Sequence, residues 1–142
     1  MAALSAAKRQ RMTNPANRIG FKMGTDIVYQ GGLVTALNSA GLALAGQDTA
    51  SHVFLGVAAE TVDNSAGATG DDAPIVEVWT DGIFEFDYAS VTQAAVGTLA
   101  YILDDQTVAA TGSTSNTILA GQVVEVDTTN ETARVKLLQI TA

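Results

Sequence analysis

Two pairs of neighbouring carboxylates, Asp71–Asp72 and Asp104–Asp105, and a lone histidine, His52, are the residues of this chain best suited to chemistry. Paired carboxylates can hold Ca²⁺ or divide the roles of acid and base. Sequence neighbours, however, point to opposite faces of a strand, and a Ca²⁺ loop needs acids at alternate positions around a glycine. Both pairs lie in turn-like stretches, "GATGDDAP" and "ILDDQT", where Asp is favoured for bonds to nearby backbone. They read as turn residues, and no metal site is expected. His52 stands in "TASHVFLG", at a strand entrance, with no Ser–Asp neighbourhood to make it a base. It reads as an ordinary strand-edge histidine. "GATGDD" has glycines but neither the lysine nor the spacing of a phosphate loop, and no nucleophile elbow or dinucleotide fingerprint occurs. The chain has no cysteine, which excludes a thiolate nucleophile, a disulfide and a zinc–thiolate site. The expectation is a chain that is not an enzyme and carries no cofactor. A carboxylate-using hydrolase would need two of Glu60, Asp63, Asp104, Asp105 and Glu125 to converge in a pocket with a raised pKa.

The elements that must position these residues read as β. "TDIVYQGG", "HVFLGVAAETV", "PIVEVWTDGIFEFDY", "TLAYILDD", "AGQVVEVDTT" and "ARVKLLQI" are short runs rich in Val, Ile, Phe, Tyr and Thr, separated by Gly, Asn, Asp and Ser. Alternation of period two puts Val76 and Val78 on one face, and likewise Phe84, Phe86 and Tyr88. Glu77, Glu85 and Asp87 fall on the opposite, solvated side. Trp79, Phe84, Phe86 and Tyr88 have the look of a base-stacking platform, but no Lys or Arg surrounds them, so they read as core or subunit-interface aromatics. "DG" at Asp81–Gly82 fits a type I′ hairpin turn or a kink in one long strand, the kink being favoured. A turn or two of helix is expected in "ASVTQAAVG", ended by Gly97.

Charge divides the chain sharply. The 142 residues carry a formal charge of −8. Residues 1–22 hold Lys8, Arg9, Arg11, Arg18 and Lys22 and no acid, whereas the remainder holds Arg134 and Lys136 against 15 acids. Residues 1–23 are therefore expected to form an extended basic N-terminal arm, and residues 24–142 a β-rich body. No apolar run is long enough to span a membrane. A body this acidic repels phosphate backbones, so nucleic acid is not an expected partner.

The body repeats itself. "GGLVTALNSAGLALAG" (31–46) aligns without a gap on "GTLAYILDDQTVAATG" (97–112), matching Gly31 to Gly97, Leu33 to Leu99, Leu37 to Leu103, Ala43 to Ala109 and Gly46 to Gly112. Gly56–Glu60 then matches Gly121–Glu125. The expected fold is all-β with at most one or two short helices. It is a small sandwich or barrel of two related β units, about 31–82 and 97–138, joined by 83–96.

In their order these strands resemble the phage capsid-cement, or head-decoration, proteins, with the lambda-type decoration proteins more distant. The likeness rests on Gly56–Val57–Ala58, Val76–Val78–Gly82, Gly97–Tyr101–Asp104–Asp105, Gly121–Val123 and Val135–Leu137, and covers roughly residues 24–138. The resemblance implies a non-enzymatic homotrimer on the outer surface of an icosahedral phage head, bound to the major capsid protein. The basic arm departs from that signature. Its expected role is to bind the capsid through Lys8, Arg9, Arg11, Arg18 and Lys22, with Ile19, Phe21 and Met23 as apolar anchors. An extended arm of this kind can add a strand to a neighbouring sheet edge. The competing expectation is another virion part, such as a spike base, tail-tube subunit or adhesin, because fold does not fix function.

Overall fold

The computed structural model describes residues 18–138. Its strands are β1 (Arg18–Lys22), β2 (Ile27–Val28), β3 (Leu33–Leu37), β4 (Ala43–Ala45), β5 (His52–Ala58), β6 (Val62–Asp63), β7 (Ile75–Trp79), β8 (Ile83–Asp87), β9 (Leu99–Ile102), β10 (Val108–Ala109), β11 (Leu119–Asp127) and β12 (Thr132–Leu137). Single 3-10 turns at Gly70–Asp72 and Gln93–Ala95 are the helical pieces among the described residues. The fold is all-β, and the helical stretch expected near 89–97 is the second of these turns.

The strands form two five-stranded antiparallel sheets, ordered β1-β7-β5-β3-β4 and β10-β9-β11-β12-β8, and a small sheet of β2 and β6. The two large sheets have the same topology. β1, β3, β4, β5 and β7 occupy the places of β8, β9, β10, β11 and β12 in turn. Equivalence extends to single bonds. Met23 N–H donates to the Pro74 carbonyl at 2.9 Å, as Tyr88 N–H donates to that of Glu131 at 2.8 Å. In both sheets the fourth strand in chain order, β5 or β11, carries a bulge against the first hairpin strand. The register breaks beside Gly56 in one and beside Gly121 in the other.

The duplication therefore holds, with different limits. The units span 18–79 and 83–137, because each begins with a sheet strand, β1 or β8, that lies ahead of the sequence repeat. Residues 83–96 do not join two units; β8 is the first strand of the second. Pairing also shifts the alignment by one residue at the hairpin. Thr35 faces Leu44, whereas Tyr101 faces Ala109, so Ala43 corresponds to Val108 and not to Ala109. At Asp81–Gly82 the chain leaves the first sheet and enters the second, since β7 and β8 do not pair. It is neither a hairpin turn nor a kink within one strand.

The arm expected over 1–23 is also corrected. Residues 18–22 are a strand of the body, paired in register with β7, Ile19 opposite Val78 and Phe21 opposite Val76. The cause is the alternation of Ile19, Phe21 and Met23. Phe21 packs on the first unit's core and Met23 lies fully inside it. Lys8, Arg9 and Arg11 lie outside the described residues.

Two cores result. Met23, Val28, Val34, Ala43, Ala58, Val76 and Val78 fill the space between the first sheet and the β2–β6 pair. Phe86, Tyr88, Ile102, Val108, Val123 and Val135 line the inner face of the second sheet, and Leu33 and Val57 of the first unit complete that cluster. Each Val, Leu, Ile, Phe or Met side chain among them contributes about 1.5–3 kcal/mol when taken out of water. Loops add a polar tie between units. The Asp48 carboxylate accepts N–H bonds from Ser115 at 2.7 Å and Asn116 at 2.8 Å.

Candidate interaction surface

β1 sets the first surface, because it is an edge strand of its sheet. Alternation sends Arg18 and Lys22 to one face and Ile19 and Phe21 to the other. Arg18 forms an ion pair with Glu77 and stacks its guanidinium over Trp79, 5.2 Å from the ring centre. Lys22 Nζ stands 4.0 Å from an Asp71 carboxylate oxygen. Both cations are about half exposed, so these pairs are worth little and can be exchanged for other carboxylates. Beside Lys22 lies Ile75, 56 % exposed, and Ile19 is 38 % exposed at the rim. Of the expected partner-binding residues, the structure places Arg18, Ile19 and Lys22 on this edge strand, Arg18 and Lys22 on one face and Ile19 on the other. Phe21 and Met23 are turned inward and anchor the strand to its own body.

Among the described residues no group of three or more His, Cys, Asp and Glu side chains is placed to hold a metal ion. Asp71 and Asp72 form the exposed 3-10 turn. Asp104 accepts the Gln106 N–H at 2.9 Å in the β9–β10 turn. Asp105 is pushed above the usual aspartate range by burial, then by the adjacent Asp104 charge and by Asp26. Asp63 and Asp127 are held below that range by local bonds, from Ser65 to the first and chiefly from Asn130 to the second. Glu60 lies elsewhere, within 3.4 Å of the Glu77 amide, and Glu125 pairs with Arg134 at 3.4 Å on the second sheet. His52 sits at the start of β5, with Nδ1 3.0 Å from the Thr35 hydroxyl, a satisfied strand-edge contact. Phe86 and Tyr88 are buried core residues, and that burial raises the Tyr88 pKa.

One feature escaped the sequence reading. A groove of about 660 Å³ opens between the 88–98 segment and the β9–β10 hairpin, lined among others by Tyr88, Val91, Ala95, Val108, Ala110 and Thr111. None of its lining residues bears a carboxylate, ammonium, guanidinium or imidazole. The signal was present in the chain: 88–103 and 106–124 are two long stretches without one Asp, Glu, Lys or Arg. Compared with family models, curated proteins and solved structures, the chain matches none.

Proposed function

We propose that this chain is a phage capsid decoration, or cement, protein. It binds the outer surface of an icosahedral head as a homotrimer and stabilises contacts between major capsid subunits. The observation that carries the reading is the division of charge along the chain. Residues 1–17 contribute Lys8, Arg9 and Arg11 with no acid, and in sequence they precede β1, an edge strand among the described residues that carries Arg18 and Lys22. The body behind holds all 15 acids. A basic leader pairs with carboxylates of another shell, and an acidic body remains soluble and faces outward. Several leaders per oligomer then act by avidity, each raising the effective concentration of the next.

The place of β1 at the end of its sheet, among the described residues, supports the same reading from the side of geometry. Main-chain groups on such an edge are available to a strand from a partner. The test is coating of expanded heads by the intact chain and by a form lacking residues 2–17. The intact chain coats, its coating weakens as ionic strength rises, and the shortened form fails to coat while retaining its fold. Equal coating by the two forms sinks the role of the leader. Failure of the intact chain to bind heads sinks the proposal itself.

A further inference from the structure

The two units differ in what happens to the outer face of their sheets. On the first sheet that face carries Leu33 and Val57, both buried because the second unit's core lies on them. Strand equivalence puts Leu99 and Gln122 at the same positions of the second sheet. There Leu99 is exposed among the described residues, and Ile83, at the other end of the same row, is 57 % exposed. The row runs Ile83–Lys136–Gln122–Leu99 across β8, β12, β11 and β9. A second row, Glu85–Arg134–Glu125, lies beside it. Val124, also exposed, falls between the two rows where the β11–β12 register shifts. Charge marks this face further. Beyond residue 22 the chain has two cations, Arg134 and Lys136, against 15 acids, and both cations are here. Arg134 reaches Glu85 at 3.9 Å and Glu125 at 3.4 Å, loose exposed pairs that are easily exchanged. Lys136 has no ion pair among the described residues.

From this pattern we infer that the outer face of the second sheet is a contact between two copies of this chain. Its two-fold axis runs along the strands, between β12 and β11. The rows select a second copy as occupant because they are complementary to themselves. About that axis β12 faces the other copy's β11, and β8 faces its β9. Ile83 then meets the other copy's Leu99, Lys136 its Gln122 and Arg134 its Glu125, and each contact occurs twice. Val124 packs on the alkyl stems of the facing Arg134 and Lys136. An axis across the strands would instead set Ile83 against Asp87. Glu85, Glu125, Arg134 and Lys136 sum to zero charge, so the paired faces escape the repulsion between two acidic bodies. More distant charges are screened, since at about 0.15 M salt the Debye length is about 8 Å. Sheets packed face to face keep their strands within about 30° of each other, as an axis along the strands requires. Four strands about 4.8 Å apart and five residues at about 3.3 Å give a face of about 300 Å² in projection. That is the small end of specific interfaces, so the pair is weak and depends on concentration. The contact involves neither residues 1–17 nor β1 and goes beyond the shell-binding role of the leader.

The experiment is analytical sedimentation of the full chain, without heads, from about 10 μM to about 1 mM. The expected result is a reversible doubling of mass, from one copy to two or from one trimer to a pair of trimers. Arg134→Glu and Glu125→Arg each set like charges against each other across the axis. Both positions are exposed, so each variant should keep its melting temperature and pair about tenfold more weakly or worse. An equimolar mixture of the two variants should pair again, because each copy then supplies the charge that the other lacks. Leu99→Asp, also at an exposed position, should weaken pairing by about the same factor. No doubling of mass up to about 1 mM overturns the inference. So does undiminished pairing in both folded charge variants, or a mixture that pairs no better than either variant alone. Coating of heads is read separately, with the form lacking residues 2–17, so failure here and failure of the shell-binding role are told apart.

Discussion

Gly56 and Gly121 stand at the same place in the two units, each with its Cα pressed against a backbone carbonyl of the next strand. An added Cβ would come 2.2 Å from the Trp79 carbonyl oxygen at the first and 2.1 Å from that of Lys136 at the second. Gly56 also holds φ at +154°. These are the bulge positions that let each sheet curl over its core.

Gly56→Ala and Gly121→Ala are therefore expected to destabilise the fold by about 3 kcal/mol each, since backbone on a neighbouring strand has nowhere to move. Urea unfolding of each variant measures this. A loss below about 1 kcal/mol at either site would show that the two bulges are not equivalent constraints.

Truncation separates leader from strand. A chain lacking residues 2–17 should melt close to the intact protein. A chain lacking residues 2–22 removes β1 from β7 and uncovers Val76 and Val78, and should lose about 3 kcal/mol or more. Calorimetry of the two forms decides the matter. Equal melting would mean that β1 adds nothing to the body.

Asp48→Ala leaves the Ser115 and Asn116 amides without their carboxylate. Bonds of this charged kind contribute about 1.5–3 kcal/mol, so a loss of about 2 kcal/mol is expected. Hydrogen exchange should accelerate at Ser115 and Asn116 before it does in β11 or β12. Uniform acceleration across both sheets would count against a local tie.

Asp105→Asn tests the sign of an acid held above its usual range. A raised folded pKa favours the protonated form, so its cost to stability is absent below the ordinary aspartate pKa and complete above the folded value. The asparagine variant should therefore be the more stable protein at neutral pH. Its advantage should shrink as pH falls and Asp105 itself takes up a proton. Asp63 and Asp127 act in the opposite sense. Their contributions are present above the ordinary aspartate pKa and are lost as pH falls through their lowered values. Melting curves across the acid range, compared with Asp105→Asn, separate the two effects. A constant difference at every pH would contradict the burial of Asp105.

Much of the fold was legible in local pattern. Period-two alternation placed Val76, Val78, Phe86 and Tyr88 inside, and the repeated glycines marked the duplication. The limits of the units were not legible. β1 and β8 are equivalent strands, yet "RIGFK" and "IFEFD" share little beyond alternation, and opposite charges decorate them. Strand pairing depends on the burial of one face and tolerates almost anything on the other, so the basic residues of β1 disguised a core strand as part of an arm. The groove was hidden for a related reason. Uncharged stretches are visible in a sequence, but whether two of them enclose space depends on the path between them.

The sequence by itself determined which residues form strands, which face of each strand is apolar and how charge is divided between leader and body. These are properties of neighbours along the chain. Only the tertiary structure decided which apolar rows are covered. Leu33 and Leu99 occupy the same position in their units, yet Leu33 is 0 % exposed and Leu99 39 %. The first packs into the other unit's core and the second has no such neighbour among the described residues, because burial is set by what distant segments bring to a surface.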